Sequence, residues 1–262
     1  MDENKPMHLY KYCPWNEYTK KILWNDELYL ASADKFNDPF DSCIMINLEG
    51  SNEDWFKVAI DIYAEIQKRR LTKKEENAWR KIICFSDTNE FKDDRKAFVE
   101  NYVMERSKKQ VGVCCLSGEN DNILMWSHYA KDHTGICLEF DYSNTILLPA
   151  RKVIYKNDYP KINILDIYDK KKITNLYFTK ATDWEYENEY RISSVNIVNS
   201  TMQFEHSILT GVICGEDMND GYIEELKEIL SWRSKPLTLY KAKKKKYQFG
   251  LDIEELGRFN RI

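Results

Sequence analysis

Hydrophobic and polar positions alternate in short runs at both ends of the chain and switch to a helical spacing between them. Met7-His8-Leu9-Tyr10-Lys11-Tyr12 reads as a strand that stops at Cys13-Pro14, because a residue before proline is driven out of the helical region. A helix over Glu17 to Trp24 and a strand over Glu27 to Ala31 follow. Phe36-Asn37-Asp38-Pro39-Phe40-Asp41 puts a turn between two aromatic residues. Over about 53–108, apolar residues such as Ala59, Ile62 and Ile66 recur three or four apart, which predicts a helical insertion covering one face of the fold.

The β pattern resumes at Val111 to Ser117. A helix over Asn122 to Ala130, with Asp121 as its expected N-cap, leads through Thr134-Gly135 into a strand over Ile136 to Phe140. Val153 to Tyr155 reads as a strand, as does the long segment opened by Trp184 to Ile192 and running on to Val198. Leu209 to Cys214, Leu237 to Lys241 and Phe249 to Ile253 are further strands, and Gly221 to Leu230 is a helix. Strands outnumber helices without strict interleaving, so the expected fold is a single α+β domain over 1–262 with a mixed, mostly antiparallel sheet.

Composition narrows the function classes. The 262 residues are 43% hydrophobic and 31% charged, an ordinary globular mixture. A net charge of −4 argues against a chain that coats nucleic acid through its overall charge. The nine glycines form no G-x-G-x-x-G, no G-x-x-x-x-G-K-[ST] and no G-x-S-x-G, which removes the main support for Rossmann, P-loop and α/β-hydrolase chemistry. Seven cysteines, mostly within apolar runs, look like reduced buried thiols, and no C-x-x-C accompanies the four histidines, so no metal site is expected. MDENKPMHLY lacks a basic stretch followed by an apolar one, and no 18-residue apolar run occurs. The expectation is a cytoplasmic protein without a membrane partner.

Four segments could carry chemistry. In Glu187-x-Glu189-x-Arg191, strand period would put two carboxylates and a guanidinium on one face, roughly 6.6 Å apart. Alternatively, this is an exposed strand of alternating charge. Met125-Trp126-Ser127-His128-Tyr129-Ala130 puts a histidine among aromatics on a helix, where a core histidine is the competing reading. Tyr10-Lys11-Tyr12 puts Lys11 opposite two tyrosines, and could simply be a surface lysine. Lys241 to Lys246, flanked by Tyr240 and Tyr247, reads as a solvated hairpin or a nucleic-acid patch. A nuclease would need Asp38, Asp41, Glu187 and Glu189 to gather a divalent metal, and no spacing requires it.

Taken in order, L-Y-K-Y, F-N-D-P-F-D, the C-x-S of Cys115 to Ser117, M-W-S-H-Y-A, H-x-G-I-C-L-E-F and W-x-Y-E-x-E-Y-R resemble a prokaryotic family, domain of unknown function 2971. The resemblance spans nearly the whole chain, ending with G-V-I-C-G and F-G-L-D. One departure is Gly118, where that family often carries an acidic residue. More distantly, the order of a basic residue on an early strand, a strand ending in Ser before a helix, and a late E-x-E resembles ADP-ribosyltransferases of the arginine–serine–glutamate type. Lys11, Ser117 and Glu187-x-Glu189 stand in those places, although Tyr10 or His8 could equally match the first, and no Ser-x-Ser follows the Val111 strand.

That second resemblance implies an ADP-ribosyltransferase-like fold, with NAD as substrate and a protein or nucleic acid as acceptor, or NAD hydrolysis, in a toxin or phage-defence effector. It implies that Glu189 holds the ribose and its developing positive charge, and that Glu187 orients or deprotonates the acceptor. Trp126 or Tyr129 would stack on a flat ring and Lys11 would meet the pyrophosphate. Lys11, Asn37, His128, Glu187 and Arg191 are expected to line one cleft with Tyr10 and Ser117, Glu187 reaching Arg191, and Asn37 and Asp38 closing the rim. The competing function is a nucleotide or nucleic-acid binding module without turnover.

Overall fold

A computed structural model describes residues 5–47, 51–85, 89–143, 146, 148–166 and 169–259. In chain order come β1 (His8–Cys13), α1 (Glu17–Asn25), β2 (Glu27–Ser32) and β3 (Met45–Asn47). Helices α2 (Asn52–Gln67), α3 (Lys73–Phe85) and α4 (Asn89–Gln110) follow. The chain continues with β4 (Gly112–Ser117), α5 (Ile123–Tyr129), β5 (Ile136–Asp141), β6 (Arg151–Lys152), β7 (Ile154–Tyr155) and β8 (Lys161–Asn163). Then come α6 (Lys170–Leu176), β9 (Thr179–Lys180), β10 (Glu189–Ser194) and β11 (Ser200–Gln203). The last elements are β12 (Leu209–Cys214), α7 (Asp220–Ser231), β13 (Leu237–Lys244) and β14 (Leu251–Phe259).

The main sheet runs β11-β2-β4-β1-β5-β12-β13-β14, and β10 and β6 continue it from β4. Of its pairings only β12 with β13 is parallel, which makes this a mixed, mostly antiparallel α+β architecture. Strand β4 is its junction. One edge pairs with β10 over the full length, from Gly112↔Ser194 to Ser117↔Glu189. The other edge is divided, β2 taking Gly112 and Val113 while β1 takes Ser117. The sheet therefore forks at Cys115, between β1 and β2.

Alternation along the strands sends Leu9, Leu138, Phe140, Val212 and Leu239 to one side, where they meet Leu23 of α1 and Leu226 and Leu230 of α7. Helix α7 reaches this core with Ile223, Leu226, Ile229 and Leu230, spaced as one helical stripe. On the opposite side Tyr12, Cys137, Ile213, Ala242 and Leu251 pack under α5. A third cluster joins Val58 and Ile62 of α2 and Val103 of α4 to Val111 and Val113. Helices α2 to α4 thus cover the β4 end of the sheet. The side chain of Cys84 lies outside those described; the other six cysteines are free thiols. No helix among the described residues is long and apolar enough to cross a membrane.

Two expected elements shift. Helix α5 is capped by Asn122, whose side chain accepts from the Leu124 and Met125 amides, and not by Asp121. The long strand from Trp184 is divided: Thr182–Glu187 is a 3-10 turn, Asn188 is left-handed (φ 42°), and β10 begins only at Glu189. Asparagine tolerates that conformation because its short side chain can hydrogen-bond locally, and Asn188 Nδ2 reaches Glu119 Oε1 at 3.3 Å.

At Gly112 the chain approaches Ile197 so closely that an added Cβ would lie 2.0 Å from the Ile197 carbonyl oxygen. Gly112→Ala should therefore push β4 from its neighbours and destabilise the fold by about 1–3 kcal/mol. A urea titration reads this as a lower midpoint at unchanged slope.

Candidate functional site

The fork opens into a cavity of about 370 Å³. Its floor is built around Arg191, which is fully buried. Nε and Nη2 donate to the two oxygens of Glu189 (2.7 and 3.0 Å), Nη1 and Nη2 to the two oxygens of Asp41 (3.0 and 2.5 Å), and Nη1 also to the Tyr177 carbonyl (2.7 Å). All five N–H groups of the guanidinium are thereby used, four in two bidentate pairs. Lys180 forms a second buried cation. Its Nζ donates to Glu187 Oε2 and, at 3.2 Å, to Glu189 Oε2, and stands 3.8 Å from Asp41 Oδ2.

Three buried carboxylates thus face two buried cations, which leaves one formal negative charge on the floor. Burial alone would raise the pKa of Glu189, but Arg191 and then Lys180 outweigh it and hold the carboxyl down to about 2. For Glu187 burial dominates and Glu189 adds to it, so its pKa is raised above 4.5 despite the neighbouring Lys180. Lys180 is also raised: burial opposes its charge, and Glu189 and Glu187 outweigh that. The two carboxyls are thus shifted in opposite directions, Glu189 down and Glu187 up. Environments that separate two carboxylates in this way create distinct acid–base roles.

The walls come from distant segments. Lys11, on β1, donates to the Cys115 carbonyl at 3.1 Å, the group left open by the fork. Ser117 Oγ donates to the Glu187 carbonyl at 2.7 Å and accepts the Glu119 amide at 3.1 Å, tying the end of β4 to the turn before β10. Tyr129 donates to Glu187 Oε1 at 2.6 Å, and exposed His128 shares a 3.0 Å hydrogen bond with Tyr186 through Nδ1. Tyr10 and Asn37 complete the wall. Tyr155 fixes the start of β10 by accepting the Glu189 amide at 2.7 Å with its hydroxyl oxygen. A second, open cavity of about 740 Å³ adjoins the first, sharing Lys11, Phe36 and Cys115 and bringing Lys21, Tyr18 and Tyr29.

Lys11, Asn37, His128, Glu187 and Arg191 do line one cavity, with Tyr10, Ser117, Tyr129 and Glu189. Four expectations change in detail. Trp126 is fully buried, donates Nε1 to the Asn120 carbonyl at 2.8 Å and packs edge-on against Tyr12, so it supports α5 from below and cannot stack on a ligand. Arg191 has no donor left for a phosphate and is a positioning residue. Glu187 is paired by Lys180, not Arg191, because the left-handed Asn188 takes it out of the strand repeat. Asp38 does not close the rim: it is buried, and its Oδ1 accepts the Phe40 amide at 2.9 Å.

Sequence reasoning passed over Lys180 and considered Asp41 only as a metal ligand. The available signal was electrostatic: carboxylates flanked by Tyr186, Tyr190 and Ile192 are headed for burial, and buried carboxylates need cations. Lys180 follows the apolar Tyr177-Phe178 seven residues before Glu187. With Lys180 and Arg191 between the carboxylates, no group of three or more metal-ligating side chains among the described residues could hold a metal ion. A Cβ at Gly118 would lie 2.7 Å from Asn188 Nδ2, so an acidic side chain there would displace Asn188 from its place beside the site.

The lowered pKa of Glu189 makes the fold acid-sensitive. A shift from 4.5 to about 2 stabilises the folded state by about 3 kcal/mol above pH 4.5, and that contribution is lost as pH falls towards 2. Melting temperature should therefore drop less between pH 5 and pH 2 in Glu189→Gln than in the wild type. Lys180→Met, which leaves its carboxylates short of a cation, should cost about 3–5 kcal/mol at neutral pH in denaturant titration.

Compared with known proteins, residues 125–192 match a family described as "Protein of unknown function (DUF2971)". No curated protein and no solved structure matches the chain. The matched stretch runs from Met125 on α5 to Ile192 on β10 and so contains His128, Tyr129, Lys180, Glu187, Glu189 and Arg191, which is most of the helix and all of the floor but Asp41.

Proposed function

We propose that the protein cleaves the nicotinamide–ribose bond of NAD and transfers ADP-ribose to an acceptor or to water. The observation that carries this reading is the meeting of a carboxylate held ionised by two cations, Glu189, and one whose pKa burial raises, Glu187, in a single cavity whose floor carries one formal negative charge. In the reaction the C1′–N bond breaks, and nicotinamide leaves as a neutral base with the electron pair. The positive charge passes to the ribose as an oxocarbenium-like state. Glu189, preorganised by Arg191 and Lys180, stabilises that charge without having to reorient. The acceptor then bonds to C1′ and gives its proton to Glu187.

The two joined cavities support a substrate with two halves. The smaller holds the carboxylates; the larger brings aromatic and basic side chains, with Lys11 at the junction where a pyrophosphate would lie. Tyr129 at the wall is the ring available to stack on a planar group. A toxin or phage-defence effector is a suitable setting for such chemistry. A second reading, nucleotide binding without turnover, is favoured by the Lys180 and Tyr129 contacts that occupy both oxygens of Glu187.

Nicotinamide release from NAD separates the two. Glu189→Gln should slow release by about 10²–10³-fold, the usual effect of losing one group that stabilises transition-state charge. Equal rates in both proteins would remove Glu189 from the mechanism, whereas NAD binding by calorimetry with no release would favour the second reading. Transfer to an acceptor should also fall as pH drops through an apparent pKa above 4.5, because protonated Glu187 cannot accept the acceptor's proton. In Glu187→Gln that acid limb should vanish together with most of the transfer.

A further inference from the structure

Strands β13 and β14 form a hairpin whose stem and apex differ in character. In the stem, Ala242 and Leu251 are buried under α5. Beyond them the chain carries Lys243 to Lys246, then Tyr247, Gln248 and Phe249, before Gly250 returns it. Tyr247 is 93% exposed and Phe249 is 99% exposed. Two large rings so fully in water, two residues apart at one loop tip, bury nothing of their own fold. Tyr247 is also held in the left-handed region (φ 68°), a conformation that an aromatic residue seldom adopts. The loop is closed by the Lys245 amide donating to the Gly250 carbonyl at 3.0 Å, so the rings are displayed from an ordered turn.

The charges around the rings have a direction. Lys243 pairs with Glu254 at 2.6 Å and Lys245 approaches Asp252 at 3.9 Å, across the hairpin; Lys244 approaches Asp217 at 3.6 Å. These acids lie behind the apex. In front, Lys246 lies 5.0 Å from the centre of the Tyr247 ring. Exposed ion pairs of this kind are weak and exchange readily for other anions.

We propose that this apex binds single-stranded nucleic acid, Tyr247 and Phe249 stacking on bases while Lys244, Lys245 and Lys246 meet phosphates. Stacking on aromatic side chains beside lysines is the general solution for gripping a flexible, unpaired strand. A narrow strand can reach the rings and lysines from the front. A planar anionic bilayer pressed onto the same apex would bring its surface charge towards Glu216, Asp217 and Asp252, which disfavours a membrane as the occupant. The inference rests on the hairpin alone and holds whether or not the cleft acts on NAD.

The test is fluorescence anisotropy of labelled oligo(dT) and oligo(rU) with the full chain, in a salt series, beside Tyr247→Ala/Phe249→Ala and Lys245→Glu/Lys246→Glu. Tyr247, Phe249 and Lys246 are exposed and Lys245 is half-buried at the surface of the same turn, so thermal melts should stay close to the wild type. The aromatic variant should bind about tenfold or more weakly at unchanged salt slope. The lysine variant should bind more weakly with the slope of log K against log salt reduced by about 1.4. Glu189→Gln should bind as the wild type does. No binding by the wild type at low salt, equal binding by all the variants, or tighter capture by phosphatidylserine vesicles than by the oligonucleotides would each overturn the proposal.

Discussion

The fold around the cavity depends on how one guanidinium is satisfied. Arg191 sits on a central strand with no exposure to solvent, a position that excludes an unpaired charge. Five hydrogen bonds bring it Asp41 from the loop before β3, Glu189 from its own strand and a carbonyl from the end of α6. Each partner is itself buried, so removal of any one leaves a guanidinium N–H without an acceptor away from water. Asp41 in turn draws the Phe36–Asp41 loop over the sheet, which places Asn37 at the cavity wall. Lys180 adds the second cation and leaves the floor with one formal negative charge.

The fork in the sheet converts this electrostatic core into a usable space. A sheet with β1 and β2 side by side along β4 would have closed over Cys115 and left no room above the carboxylates. Because the two strands diverge, Lys11 reaches the Cys115 carbonyl between them, the carboxylate floor and the aromatic wall of α5 line one cavity, and the larger cavity adjoins it at Lys11, Phe36 and Cys115. Glu189 and Arg191 stand on β10 and Lys180 on β9, while Asp41 comes from a loop and Glu187 from a turn, each held by buried ion pairs.

Much of this architecture was legible from residue pattern. Alternation located β1, β4, β5 and β12, and the helical spacing located α2, although of its stripe Ile62 is buried while Ile66 is exposed, and Val58 packs beside Ile62 instead. The E-x-E-x-R segment marked the floor correctly but for an incomplete reason. Strand period does bring Glu189 and Arg191 together, whereas Glu187 arrives through the left-handed Asn188, a backbone choice that composition does not announce. Lys180 was hidden because a lone lysine on a two-residue strand has no periodicity to betray it; only the demand for a cation near buried carboxylates points to it. Trp126 misled because an aromatic beside a histidine looks equally apt for ligand and for core, and its indole N–H found a backbone carbonyl inside.

The divided edge of β4 also bears on the order of events during synthesis. Lys11 reaches a strand 104 residues further on, and Asp41 waits for a guanidinium 150 residues away. Pairings between such distant segments form late, after the cost of closing long loops has been met. On the ribosome, a chain that has not yet delivered β10 has neither Glu189 nor Arg191 and so has no charged floor at all. The charged floor can therefore assemble only once β10 has emerged, and a chain cut short before Glu189 lacks it altogether.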